Sequence, residues 1–242
     1  MLAYDLVLFD LDGTLVETAP EIADAVNDTL REFAWTEASQ AQVEAWIGHG
    51  TGELLVQAVA TAAAMSVEQV RGAEWLPQVA AVFDRHYEAR CGTRSRPYPQ
   101  AREVLHYLRS RGVRLAVVTN KEARYTERVL AAHDLSPLLD RVVSGDTLPR
   151  KKPDPAGVQA CLGDFGVARE RALFVGDSAI DAATARNAGV AVWLLPHGYN
   201  LGRPISEARP DRIVADFGAL RDALGGRGLA SSPAAARPGC SP

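Results

Sequence analysis

The sequence of 242 residues predicts an α/β protein with a doubly wound parallel-sheet (Rossmann-like) core and an inserted all-helical cap domain. Several predicted strands are apolar along almost their whole length, which is typical of strands covered on both faces of a parallel sheet. From residue 97 onward these strands alternate with helical patterns, as in right-handed βαβ units. Residues 16–94 break that rhythm, because their apolar positions recur at helical spacing only.

Five core strands are predicted from short apolar runs that end at polar or turn-forming residues. They are residues 4–10, 114–119, 141–145, 172–176 and 190–195. Helices between them are predicted at residues 101–111, 123–132 and 155–165. Gly112 and Gly166 follow the first and last of these helices, as expected because glycine commonly terminates a helix.

The helical block between the first two core strands is predicted to begin near Thr18, whose hydroxyl precedes Pro20 in a typical helix start. Further helical segments are predicted at residues 41–47, 53–64 and 68–87. Three glycines in the stretch IGHGTG, residues 47–52, permit a turn and a close approach of the backbone to something small. We therefore expect this loop to lie near a binding site.

The domain organisation follows from these patterns. The core is expected at residues 1–15 and 95–224, the cap at 16–94 and a tail at 225–242. Gly, Ala, Ser, Pro and Arg dominate the tail, so it cannot bury a core and is expected to be flexible. Hinges that let the cap close over a site are expected near residues 16–18 and 93–97.

The composition excludes several classes of partner. The net charge is −4 and no cationic block is present, which argues against binding to nucleic acid or to an anionic membrane surface. No signal peptide or membrane-spanning run is recognisable. Three widely scattered cysteines fit neither a disulfide framework nor a zinc site, so a cytoplasmic protein with reduced thiols is expected. The sequence does not indicate an oligomeric state.

Two carboxylates, Asp10 and Asp12, stand where the first strand gives way to Gly13. They could divide the work of phosphoryl transfer: one would attack phosphorus, and the other would protonate the departing oxygen and later activate water. The alternative is a strand exit that carries solvated acids.

Three polar residues follow later strands. Thr119 and Asn120 end the second strand, where they could hydrogen-bond phosphate oxygens, although a threonine at a strand end is also common for local reasons. Lys152 is held in extended backbone by Pro153, but it could equally be a surface lysine in a basic run.

The motif GDSAID, residues 176–181, ends the fourth strand and opens a helix. Asp177 and Asp181 are candidates for the same site, and capping of the helix by Asp177 or Ser178 is the alternative. Asp181 is one helical turn further on and would point back toward the same region.

The charges of these residues predict a metal ion. Four carboxylates and one lysine around a phosphate dianion repel one another, and each like-charge contact costs about a few kcal/mol at an effective protein dielectric. A divalent cation would remove this cost. Oxygen ligands favour Mg²⁺ over zinc, and the expected substrate is a small-molecule phosphate ester.

In this order the motifs resemble those of the haloacid-dehalogenase-like (HAD) hydrolases that carry a helical cap, over nearly all of the chain before the tail. The resemblance implies that Asp10 is the nucleophile and Asp12 the general acid and base. It further implies that Mg²⁺ is held by the Asp10 and Asp177 carboxylates and the Asp12 backbone carbonyl. Asp181 would support these ligands, and Thr119 and Lys152 would hold the phosphoryl group. The second aspartate favours a phosphatase, because dehalogenases of the family generally lack it.

Three short stretches resemble bacterial phosphoglycolate phosphatases: residues 46–50 (WIGHG), 118–121 (VTNK) and 197–200 (HGYN). Ala179 and Ile180 depart from the polar pair that relatives often have. The resemblance implies 2-phosphoglycolate as substrate, and His49 could meet the substrate carboxylate across a closed cleft.

Other functions stay open at this stage. A phosphatase for a sugar phosphate or an amino-sugar acid phosphate, and a phosphosugar mutase, would use the same motifs. A silent binding module of this fold would usually have lost the nucleophile, the acid or the lysine, whereas this chain keeps all three.

Overall fold

The computed structural model describes residues 2–225. The strands of this range are β1 (Leu6–Phe9), β2 (Val16–Glu17), β3 (Arg96–Pro97), β4 (Arg114–Val118), β5 (Arg141–Val143), β6 (Ala172–Gly176), β7 (Ala191–Leu194) and β8 (Arg212–Ile213). The helices are α1 (Ala19–Glu32), α2 (Gln40–Glu44), α3 (Thr51–Ala62), α4 (Val67–Arg71), α5 (Leu76–Arg90), α6 (Ala101–Ser110), α7 (Ala123–Ala132), α8 (Ala156–Phe165), α9 (Ala179–Ala188) and α10 (Phe217–Leu224).

Six strands form one parallel sheet in the order β5-β4-β1-β6-β7-β8. β1 lies in the middle, and its Phe9 is paired with Val117 of β4 and Val175 of β6. All four residues of β1 are fully buried, as their uninterrupted apolar character predicts. The five predicted core strands are thus present.

The sixth strand, β8, was not predicted. It has only two residues, both exposed, at the edge of the sheet. An exposed edge strand of this length carries no apolar run, so its sequence resembles that of a loop.

Two separate hydrophobic layers cover the sheet, one on each face. Successive residues of β1 alternate between them: Val7 and Phe9 pack into one layer, and Leu6 and Leu8 into the other. α6, α7 and α10 contribute buried residues to the first layer, and α8 and α9 to the second. Helices on both faces of a parallel sheet confirm the doubly wound fold class.

The helices of residues 19–90 pack mainly on one another, with α1 against α2, α3 and α5, and α3 against α4. One helix predicted over residues 68–87 is in fact two. α4 ends before Gly72, and α5 begins with Pro77 in its first turn, where proline is well tolerated. The division of the chain into core, cap and tail remains a prediction.

The two connections of this helical segment meet in a short antiparallel ribbon, β2 with β3, which pairs Val16 with Pro97. The sequence predicted hinges near residues 16–18 and 93–97, but it did not predict these two strands. Nearby, the fully buried Glu21 accepts backbone hydrogen bonds from Gly92 (2.9 Å), Arg94 (3.2 Å) and Ser95 (2.9 Å). One carboxylate oxygen therefore ties the start of α1 to the returning chain.

No helix between residues 2 and 225 is long and apolar enough to cross a membrane. Cys91 and Cys161 are buried free thiols. The predicted tail lies outside the described residues except for Gly225, and so does Cys240.

Candidate active site

The sheet topology brings three of the predicted motifs to one edge. β4, β1 and β6 are parallel neighbours, so their carboxyl ends lie side by side. Thr119, Asp10 and Asp177 each follow directly after one of these strands. Ligands of open α/β sheets bind at this edge.

Six of the predicted residues line one pocket: Asp10, Asp12, Thr119, Asn120, Lys152 and Asp177. The helical segment contributes Ile47, Gly48 and Leu54 to the same pocket. Its volume is about 30 Å³, space for roughly two water molecules. The loop of residues 47–52 forms part of the wall of this pocket through Ile47, Gly48, Gly50 and Thr51.

Lys152 is buried between two carboxylates. Its Nζ lies 2.8 Å from Oδ1 of Asp10 and 2.7 Å from Oδ1 of Asp181, and its side chain is 3% exposed. Burial disfavours the ammonium, but the two carboxylates outweigh it and raise the pKa of Lys152. Lys152 is therefore a buried cation of the site, and not the surface lysine of the alternative interpretation.

Asp181 is fully buried, and both of its oxygens accept hydrogen bonds from the protein. Oδ1 accepts from Lys152, while Oδ2 accepts from the backbone N–H groups of Asp177 and Ser178 (both 3.1 Å) and from the Ser178 hydroxyl (2.7 Å). Ser178 in turn caps α9. Asp181 thus fixes the backbone of Asp177 and the ammonium of Lys152, and the capping interpretation holds as well.

Asp177 is 2% exposed and held at both oxygens. Oδ1 accepts from the Thr14 hydroxyl, and Oδ2 accepts from the Tyr199 backbone N–H. Burial, then Asp181 and Asp10, raise the pKa of Asp177 well above its usual range. Burial likewise raises the pKa of Asp10 to about 6, against the opposing effect of Lys152.

Asp10, Asp177 and Asp181 could together hold a metal ion, because one oxygen from each lies within 4.8 Å of the others. The donors fit a hard divalent cation, since they are all oxygens. Oδ1 of Asp10 is buried and, within residues 2–225, accepts no hydrogen bond of good geometry despite its contact with Lys152. Burial is the main cause of the raised pKa values of Asp10 and Asp177, and the neighbouring carboxylates add to it, so a cation at this position would favour their charged forms.

Asp12 is held by two residues, Thr18 and Lys121, for which no role at the site was predicted. Its Oδ1 accepts from the Thr18 hydroxyl (2.7 Å) and from Nζ of Lys121 (2.9 Å). The Lys121 side chain is 1% exposed and also contacts the hydroxyl of the buried Tyr87 in α5. Burial works against its charge, but Asp12 raises the pKa of Lys121, so the ammonium persists. The one sequence feature that could have indicated a role for Lys121 was its position directly after Thr119 and Asn120.

Tyr199 also joins the site, through contacts with two distant segments. Its backbone N–H binds Asp177, and its hydroxyl accepts from the backbone N–H groups of Thr18 (3.1 Å) and Ala19 (3.0 Å). Tyr199 therefore connects the acidic cluster to the first turn of α1.

Three side-chain hydrogen bonds connect the loop of residues 47–52 to residues 120–151. The amide of Asn120 donates to the carbonyls of Gly48 (2.9 Å) and Lys152 (3.0 Å). Nζ of Lys151 donates to the His49 carbonyl (2.6 Å), and the Thr51 hydroxyl donates to Glu122 (2.6 Å). The backbone of this loop thus makes a close approach, as expected, but its contacts are with side chains of the protein.

Two predicted side chains take other positions than expected. Both N–H bonds of the Asn120 amide are used by backbone carbonyls, so in this conformation the amide connects the loop to the core and does not face a phosphate. His49 is exposed and lines a separate surface cavity with Glu53 and Arg71. In this conformation His49 contacts Lys151 through its backbone carbonyl, and a role of its ring at the substrate remains a prediction.

Comparison with known proteins gives the same family. A model of haloacid dehalogenase-like hydrolases matches residues 7–195. Phosphoglycolate phosphatase of Haemophilus influenzae (strain 86-028NP) is 39% identical over 217 residues, 90% of this chain and 96% of the relative. That of Pseudomonas savastanoi pv. phaseolicola is 40% identical over 212 residues, 88% of this chain and 76% of the relative. The crystal structure of a predicted phosphoglycolate phosphatase from Haemophilus somnus has a TM-score of 0.85 at 35% identity, covering 91% of this chain and 97% of that one.

The chain belongs to the haloacid dehalogenase-like hydrolases. Within that family it is a phosphoric monoester hydrolase, and its substrate is a small-molecule phosphate ester. The resemblance seen in the sequence motifs is confirmed.

Proposed function

We propose that the protein hydrolyses 2-phosphoglycolate to glycolate and phosphate, with Mg²⁺ as cofactor and an aspartyl phosphate on Asp10 as intermediate. The observation that carries the proposal is the gathering of Asp10, Asp12, Lys152 and Asp177 around one pocket. The relatives named phosphoglycolate phosphatase, aligned over most of the chain, support the substrate.

In the first step a carboxylate oxygen of Asp10 attacks phosphorus, and the bond from phosphorus to the glycolate oxygen breaks. Asp12 acts as the general acid and delivers a proton to that oxygen. In the second step Asp12 takes a proton from a water molecule, whose oxygen attacks phosphorus. The acyl phosphate bond breaks, phosphate leaves and the Asp10 carboxylate is restored.

Lys152 and Thr119 are suited to hold the phosphoryl group. The Lys152 ammonium is fixed beside the attacking carboxylate by Asp181. The Thr119 oxygen accepts from the Lys121 backbone N–H (3.3 Å), and its hydroxyl hydrogen has no acceptor within residues 2–225. A hydroxyl donates as well as accepts, so Thr119 can donate to a phosphoryl oxygen.

Mg²⁺ would be held by the carboxylates of Asp10 and Asp177 and by the backbone carbonyl of Asp12. When bound, it supplies positive charge against the phosphoryl oxygens and the carboxylates around them. Thr14 and Tyr199 orient the Asp177 carboxylate for this purpose, and Asp181 holds its backbone.

The relatives named phosphoglycolate phosphatase support glycolate over a sugar as the leaving group. A panel of 2-phosphoglycolate, glucose 6-phosphate and β-glucose 1-phosphate tests this preference through kcat/KM for phosphate release. Equal values across the panel would remove the named substrate. Isomerised sugar phosphate without released phosphate would mark a mutase.

The nucleophile is tested by Asp10→Asn, which should abolish phosphate release while the unfolding temperature stays that of a folded protein. Asp5→Asn is the matched control, because Asp5 is an exposed acid at the opposite end of β1. Substantial Mg²⁺-dependent turnover by Asp10→Asn would overturn the assignment. A cytoplasmic location and the absence of a nucleic-acid partner remain predictions.

A further inference from the structure

The proposed substrate carries two anionic groups, a phosphoryl group and a carboxylate, and the pocket holds two cations. Among the described residues that line it, the positively charged side chains are Lys152 and Lys121. Lys152 is engaged by Asp10 and Asp181, on the side where the phosphoryl group would be transferred. Lys121 has a different partner, the carboxylate of Asp12.

Lys121 has hydrogen-bonding capacity that the protein does not use. An ammonium has three N–H donors. Over residues 2–225, its Nζ contacts the Asp12 carboxylate and the Tyr87 hydroxyl, which leaves one donor. The side chain is almost completely buried and lines the pocket. A partner for this third N–H bond would therefore be a group bound in the pocket. A ligand oxygen would complete its coordination.

The position of Asp12 indicates how far Nζ of Lys121 would lie from an oxygen of the bound substrate. In the proposed reaction Asp12 must hydrogen-bond the ester oxygen, and the carboxylate of 2-phosphoglycolate is one methylene away from that oxygen. Nζ of Lys121 lies 2.9 Å from Oδ1 of Asp12. When Asp12 binds the ester oxygen, Nζ of Lys121 would therefore be close to the carboxylate of 2-phosphoglycolate.

Resting on the proposed function, we infer that Lys121 binds the substrate carboxylate and so selects phosphate monoesters of 2-hydroxy acids. Tyr87, from α5 of the helical segment, holds the ammonium in place. A charge-assisted hydrogen bond of this kind is strong in a buried site. Three nearby polar residues fit this role less well, because His49 and Lys151 are exposed and do not line the pocket, and both N–H bonds of the Asn120 amide are used.

The experiment compares 2-phosphoglycolate with 2-hydroxyethyl phosphate, in which a hydroxymethyl group replaces the carboxylate. Initial rates of phosphate release give kcat/KM for both esters in the wild type and in Lys121→Met. Arg150→Met is the matched control, because Arg150 is an exposed cation outside the pocket. Lys121 also holds Asp12, so removing its charge should slow both esters; the ratio between them isolates recognition of the carboxylate.

The wild type should prefer 2-phosphoglycolate, and Lys121→Met should lower this preference by about 10- to 100-fold, the range expected for a hydrogen bond to a charged group. Lys121→Arg should restore part of it. A preference unchanged in Lys121→Met, with both esters slowed equally, would overturn the inference and leave the proposed function standing. A wild type without the preference would overturn the proposed substrate and the inference together.

A measurement on the wild type covers the case in which the variants fail to fold. Glycolate should inhibit hydrolysis of 2-hydroxyethyl phosphate competitively, and ethylene glycol at the same concentration should not. Equal inhibition by the two compounds would contradict a carboxylate site in the pocket.

Discussion

A single methyl group at Gly198 should disable the acidic cluster from a distance of 21 positions along the chain. A Cβ at Gly198 would lie 2.1 Å from Oδ2 of Asp177 and 2.4 Å from the backbone oxygen of Gly13. Real Cβ contacts are essentially never shorter than 3.0 Å, so Asp177 or the loop that contains Gly198 must move by about 0.9 Å. Movement of Asp177 changes its position relative to Asp10, and movement of the loop displaces Tyr199, whose backbone N–H binds Asp177.

The energetic cost and the functional cost of Gly198→Ala should differ in size. Overpacking of a buried site costs about 1–3 kcal/mol, which for a chain of this length lowers the unfolding temperature by about 2–4 °C per kcal/mol. Displacement of a catalytic group by about 1 Å can cost about 100-fold in rate. We therefore expect a protein that stays folded but loses most of its activity and needs more Mg²⁺.

The assay is the rate of phosphate release against Mg²⁺ concentration, with the unfolding temperature measured in parallel. Gly163→Ala is the matched control, because a Cβ at this exposed position of α8 has nothing within 4 Å. It should keep wild-type activity and Mg²⁺ dependence. Wild-type kinetics of Gly198→Ala would refute the reasoning, since Asp177 would then tolerate the displacement.

Three more expectations concern the contacts around the site. Glu21→Ala should lower the free energy of unfolding by more than about 3 kcal/mol in a denaturant titration, because three backbone N–H groups lose their acceptor; an unchanged midpoint and slope would contradict this. Tyr199→Phe should destabilise by about 1–3 kcal/mol through the orphaned N–H groups of Thr18 and Ala19, which thermal unfolding would reveal. Mg²⁺ should raise the unfolding temperature of the wild type and restore activity after EDTA treatment, and neither effect should occur in Asp177→Asn.

The core could be predicted from sequence because burial on both faces leaves a strong local signal. Apart from Arg114 at the start of β4, the residues of β1, β4 and β6 are apolar, and each strand is followed by polar residues of the site. β8 lacked that signal, because its two residues are exposed. The break between α4 and α5 was missed because apolar spacing continues across Gly72, although Pro77 marked a new first turn.

The site was predictable where each residue follows its own strand, as Asp10, Thr119 and Asp177 do. The site was less predictable where the role of a residue depends on partners far away along the chain. Lys121 lies 109 positions from Asp12, and only the fold shows that the two form a buried ion pair. Asn120 was expected at the phosphate by its position, but the folded loop places the Gly48 carbonyl in front of its amide.

The most direct test of the account is to trap the phosphorylated enzyme. The wild type is mixed with substrate and Mg²⁺, quenched with acid within the first turnovers and reduced with borohydride, which converts an aspartyl phosphate into homoserine. Mass spectrometry of the peptides should locate homoserine at position 10, and Asp10→Asn should yield none. Steady hydrolysis without modification at Asp10, or with the modification at Asp12 or Asp177, would contradict the central claim.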